Sequence, residues 1–133
     1  VTPVGSANAD ASSQGVRAAL IAWAGLAGAA GVALAAIAAH KVESPALVAA
    51  STMLLVHAVA AVALMALSDT PARLRLAAAG VMLFAATLFG SDVTLHTLTG
   101  SHLFPMAAPT GGSLLIASWL FVTGIGLCGL RRV

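Results

Sequence analysis

Few residues in this chain can do chemistry, and three of them stand inside long apolar runs: His57, Asp92 and His96. Asp92 and His96 are spaced i and i+4, which on a helix sets both on one face within hydrogen-bonding or ion-pair reach. Thr99 continues that stripe, while Ser91, Thr94 and Thr97 lie around a different face. His40 and His102 stand at the ends of apolar runs on the same side, so His40, Asp92, His96 and His102 can form one outward-facing cluster, with His57 deeper.

Several chemistries fit such a set. A metal site would use the imidazole nitrogens and the Asp92 carboxylate, although no compact ligand motif is present. A haem held by two histidines needs them at matched depth, which His40 and His96 offer, and His57 alone can ligate a tetrapyrrole. A proton or ion path needs polar residues continuing across the membrane, yet residues 76–88 offer only Thr87. The remaining reading is structural: Asp92 accepts from His96, or reaches helix 1 near His40, and His57 bonds a neighbouring carbonyl or hydroxyl. On that reading Asp92→Asn is tolerated and Asp92→Leu destabilises. There is no nucleophile elbow, P-loop or zinc-protease helix. The sequence therefore assigns no catalytic residue, metal ligand or cofactor.

The elements that must position these residues are read from hydropathy. Sixty per cent of the 133 residues are hydrophobic and eight per cent are charged, too little charge to cover a soluble domain. A bilayer span needs roughly 20 apolar residues, since ~30 Å of hydrocarbon is crossed at ~1.5 Å per residue. Four blocks reach that length: 18–39, 46–67, 76–98 and 113–130. Period-two alternation is absent, which predicts helices rather than barrel strands. The expected fold is all-α, an integral membrane four-helix antiparallel bundle over residues 18–133, preceded by a polar arm at 1–17. The arm shows no helical periodicity over its first fourteen residues, a composition that favours disorder unless something holds it. Ala36-Ile37-Ala38 resembles a signal cleavage site, but the preceding run is long for a signal peptide, so the first span is expected to be retained.

The loops carry the topology. Arg17, Arg73, Arg75, Arg131 and Arg132 fall on one side of a four-span chain and only Lys41 on the other. That asymmetry predicts cytoplasmic termini in a bacterial inner membrane. The basic residues sit at helix ends and not on one solvent face, which argues against nucleic acid. Asp69 and Pro71 mark the second turn. In the third loop, residues 99–112, the apolar Leu103, Phe104 and Met106 are expected to pack on the helix ends or dip into the interface, with Thr110 or Ser113 capping helix 4. Ala27, Gly31, Ala35 and Ala39, like Ala24 and Gly28, recur every four residues and make a close-packing seam within the chain or toward a second copy. Cys128 is read as a small core residue, and Leu83 and Val93 as the lipid-facing side of helix 3.

Four segments carry a resemblance: Ala38-Ala39-His40, His57-Ala58 with the apolar run that follows, Leu88-Phe89-Gly90-Ser91-Asp92, and Ala108-Pro109-Thr110-Gly111-Gly112 continuing to Trp119. With these the chain resembles, over about residues 18–130, the domain of unknown function 423 family of small bacterial membrane proteins, which is related to the transmembrane protein 256-like family. Gly90-Ser91 departs from that family's Ser-Gly order, and Pro109-Thr110 from its Thr-Pro order. The resemblance implies a four-helix bundle and a multi-pass location, and no activity.

With almost no mass outside the lipid, the leading expectation is a non-enzymatic accessory or structural subunit. Its partners would be the bilayer and other membrane subunits or a second copy. The alternatives are a small-solute, proton or metal-ion handling protein using the His/Asp cluster, and a tetrapyrrole-binding protein.

Overall fold

A computed structural model describes the backbone of residues 4–68 and 70–130, and the side chains of residues 11–68 and 70–128. Asp69, Arg131 and Arg132 lie outside the described residues. Four helices follow one another: α1 (Val4–His40), α2 (Pro45–Ala66), α3 (Ala72–Thr99) and α4 (Ala107–Leu130). Each contains a stretch long and apolar enough to cross a membrane. Their outer surface agrees with that: Leu26 and Val59 are each 71% exposed, Leu120 is 67% exposed and Ile116 66%. A continuous apolar coat of this kind is stable only against lipid or another protein.

Local chemistry sets the helix ends. Ser44 caps α2, its Oγ accepting from the Leu47 N–H at 3.4 Å, and Pro45 occupies the first turn, where its missing N–H costs nothing. Gly100 ends α3 in the left-handed conformation (φ 76°), and its N–H donates to the His96 carbonyl. The Arg75 guanidinium donates to the Leu67 carbonyl and so ties the start of α3 to the end of α2.

Two boundaries differ from those the sequence suggests. The polar arm is not irregular, because α1 runs unbroken from Val4. Alanine at 7, 9 and 11 favours helix, and no proline interrupts residues 4–40. At 37 residues α1 is ~55 Å long, well beyond one bilayer crossing. Helix α4 starts at Ala107 and not near Ser113, so the third connection shrinks to residues 100–106. Pro109 falls within the first turn, where proline is tolerated. Gly111 and Gly112, which the sequence puts at the end of the third loop, are helical for a packing reason given below.

The core repeats with a coiled-coil period. Among the described residues of α1 the buried positions are Leu20, Ala24, Ala27, Gly31, Leu34 and Ala38, spaced alternately four and three apart. Leu47, Ala50, Leu54, Ala58, Ala61 and Leu64 bury the facing stripe of α2. The small-residue seam is therefore internal at Ala24, Ala27 and Gly31, whereas Ala35 and Ala39 are exposed. Two side-chain bonds lock the packing: Ser51 Oγ donates to the Gly31 carbonyl at 2.7 Å, and Trp23 Nε1 donates to Thr87 Oγ1 at 3.1 Å.

Helix α3 is the central element. It packs against α1, α2 and α4, and α4 packs helix to helix against α3 alone. This overturns the lipid-facing assignment of Leu83, which is fully buried, and leaves Val93 half-buried. It also explains why Cys128 is exposed and not core: the far end of α4 has a neighbour on one side only.

Candidate functional site

Asp92 lies in the last third of α3 with its side chain 1% exposed. A carboxylate so placed needs donors, since its desolvation otherwise costs several kcal/mol. The chain supplies three. Oδ1 accepts from the Leu103 N–H at 2.7 Å, and Oδ2 accepts from the Ala108 N–H at 3.2 Å and from His102 Nδ1–H at 3.0 Å. The carboxylate thus holds both ends of the third connection. Its bond to Ala108 does the work of an N-terminal cap on α4, supplied from another helix. Between the two anchored amides the chain turns through Met106, whose φ of 71° costs a non-glycine residue ~1–2 kcal/mol. Two hydrogen bonds to one buried acceptor are enough to hold it there.

The sequence placed Asp92 facing protein, and the structure agrees. The partner differs. His96, one turn along, does not bond Asp92; it stacks on His102, ring centroids 4.0 Å apart and planes 10° from parallel. The His102 ring is thereby held by a carboxylate at Nδ1 and by a stacked ring on its face, while its side chain stays 51% exposed. His40 does not join this group: it ends α1, exposed, and among the described residues no hydrogen bond or ring contact links it to Asp92, His96 or His102. Among the described residues, no set of three or more His, Cys, Asp and Glu side chains is placed to hold a metal ion.

His57 is a separate locus. Its Nδ1 lies 2.7 Å from the Met53 carbonyl and must donate to it. Nε2 then carries the lone pair and accepts from Trp119 Nε1–H at 3.1 Å, with the two rings edge to face at 6.0 Å. Both nitrogens of this neutral imidazole are engaged, so an axial bond to a tetrapyrrole would first have to displace Trp119. The indole reaches from α4 past α3 to α2. Trp119→Phe keeps the ring packing and deletes the bond, so the fold should lose ~0.6–1.7 kcal/mol. Unfolding in detergent micelles would measure this, and no change would mean the indole is not holding α4 to α2.

The apolar triplet of the third connection is not packed away: Leu103, Phe104 and Met106 are exposed, which corrects the expectation that they fold onto the helix ends. Asp92 draws the Leu103 N–H inward, and the three side chains lie at the surface of the connection. Leu103 is one wall of a groove of about 520 Å³ between α1 and α3. Ala30, Ala33 and Leu34 line one side, and Gly90, Ser91, Thr94 and Leu98 the other, with Leu54 at the base. Thr94 Oγ1, on this wall, is buried and has no hydrogen-bond partner among the described residues. Sequence reasoning missed this groove, the Trp119 bond and the two backbone donors to Asp92. The Trp119 position was visible in the resembling segment, but its partner is 62 residues away.

Four helices long and apolar enough to cross a bilayer mark a multi-pass membrane protein. Comparison with known sequences places it more narrowly. The chain belongs to the family described as protein of unknown function (DUF423), whose model matches residues 34–112. The match runs from the second half of α1 through Gly112 and so contains the whole Asp92 anchor. No curated protein and no solved structure matches the chain.

Proposed function

We propose that this protein is a non-enzymatic accessory subunit of a larger membrane assembly, with a transmembrane helix of another subunit seated in the groove between α1 and α3. The observation that supports this most is the open groove of about 520 Å³ between α1 and α3, lined mainly by apolar and small side chains with Ser91, Thr94 and Thr99 among them. The small, exposed residues Ala30 and Ala33 along the groove permit the close approach of a second helix. Of the polar groups that suggested ion handling, Asp92 and His57 are taken up internally, by three donors and by two partners, while His40, His96 and His102 stay exposed. Ala33 is exposed in the single chain, so Ala33→Trp should fill the groove without disturbing the fold. Purification from the native membrane in mild detergent should recover a stoichiometric membrane protein with the wild type and lose it with Ala33→Trp. Recovery of the chain alone, or a partner retained by Ala33→Trp, would contradict the reading.

We further infer a bacterial inner membrane with both termini cytoplasmic. Five of the six Lys and Arg residues support that side. A carboxy-terminal reporter should be active only as a cytoplasmic reporter; periplasmic activity would reverse the orientation.

A further inference from the structure

The helical start of α1 forms a polar wall at the bundle end opposite His40 and His102. There, Ser13, Gln14 and Arg17 of α1 face Arg75 of α3 across a notch of about 140 Å³, with Met65 and Leu76 on its apolar side. Arg75 is held in place by its bond to the Leu67 carbonyl, which occupies one of its five N–H donors. Arg17 is exposed and has no ion pair among the described residues, and no carboxylate of a described residue lines the notch. Arg17 precedes the apolar run beginning at Ala18, and Arg75 the run beginning at Leu76. Both guanidiniums therefore lie at headgroup depth, with hydrocarbon-compatible side chains just beneath.

We propose that this notch binds a phosphate group whose negative charge is not offset by a headgroup cation, the two guanidiniums taking its oxygens and Gln14 adding a donor. Guanidinium groups match phosphate in geometry as well as charge. The apolar side of the notch leaves a path for acyl chains, so the phosphate of an anionic phospholipid fits it, and free phosphate shares the same chemistry. The site is independent of the subunit reading, because it lies at the opposite end of the bundle from the Thr94 groove.

The test uses the full chain in mild detergent, titrated with phosphatidylglycerol, phosphatidylcholine and inorganic phosphate, and read by native mass spectrometry and thermal shift. The expected result is preference for phosphatidylglycerol over phosphatidylcholine, weakened about fivefold by Arg17→Gln. Arg73→Gln, an exposed arginine that does not line the notch, should leave it unchanged. Arg17 makes no ion pair among the described residues, so Arg17→Gln should keep the wild-type circular dichroism melt; the Arg75 bond to Leu67 is untouched. Displacement of the lipid by millimolar inorganic phosphate assigns the site to free phosphate, and resistance to it assigns the site to the lipid. Equal binding of the two lipids with no phosphate binding, or an Arg17→Gln chain that binds as the wild type does, overturns the proposal.

Discussion

Asp92→Leu should destabilise the protein by about 2–4 kcal/mol, because it strips the acceptor from two partly buried backbone N–H groups and leaves His102 without its partner. Asp92→Asn is the sharper comparison. The sequence suggests that an amide is tolerated there, since it still accepts one hydrogen bond. The structure reverses that. Oδ1 and Oδ2 each face a backbone N–H, so whichever position takes the NH₂ group sets donor against donor. The expected loss is about 1–3 kcal/mol. Reversible unfolding in mixed detergent micelles measures both. A group that handled ions would give another pattern: Asp92→Asn would fold as well as the wild type and lose the bound ion or its transport. Stability of Asp92→Asn within about 0.5 kcal/mol of the wild type would remove the anchor from the account.

The second large effect is expected at Gly111. A Cβ there would lie 2.8 Å from the Phe89 nitrogen, 3.0 Å from the Ala85 carbonyl oxygen and 3.0 Å from the Phe89 Cα. All three atoms are backbone, so no side-chain rotation relieves the clash, and α4 must move off α3. Gly111→Ala should cost about 1–3 kcal/mol, the range for overpacking a close contact. Trp119 reports the displacement, because its bond to His57 depends on the same α3–α4 spacing. Gly126→Ala is the control: nothing lies within 4 Å of its added Cβ, and alanine is the better helix former by up to about 1 kcal/mol. Equal effects at the two glycines would mean that α4 is not seated through Gly111.

The Gly111 geometry also shows where the sequence is readable and where it is not. Composition and run length give four spans, because backbone groups in lipid must bond within helices and the apolar length is set by the bilayer. They do not give the order of neighbours. Gly111-Gly112 falls in the third loop from sequence, since glycine in a loop and glycine at a helix crossing are the same letter. Only the approach of Phe89 decides between them. The burial of Leu83 has the same origin: an apolar residue is equally at home against lipid or against another helix, so hydropathy does not reveal that α3 is central. Asp92 was legible as protein-facing, from the cost of a carboxylate in lipid. Its partners were not, because two of the three donors are backbone N–H groups that every sequence carries. The i, i+4 spacing pointed to His96, and the structure uses His96 one step further out, stacked on His102. His57 was legible as bonded but not to what, since Trp119 comes from a helix with which α2 has no backbone-level packing.

The central claim is that the buried carboxylate of Asp92 is a fold anchor joining α3 to the third connection and to α4. Amide hydrogen exchange at Leu103 and Ala108, followed in detergent micelles, tests it most directly. The account predicts that both amides are protected well beyond an unstructured peptide in the wild type, and that both lose protection together in Asp92→Leu while the middle of α2 stays protected. Leu103 and Ala108 exchanging at the unstructured rate in the wild type, or keeping their protection in Asp92→Leu, would contradict it.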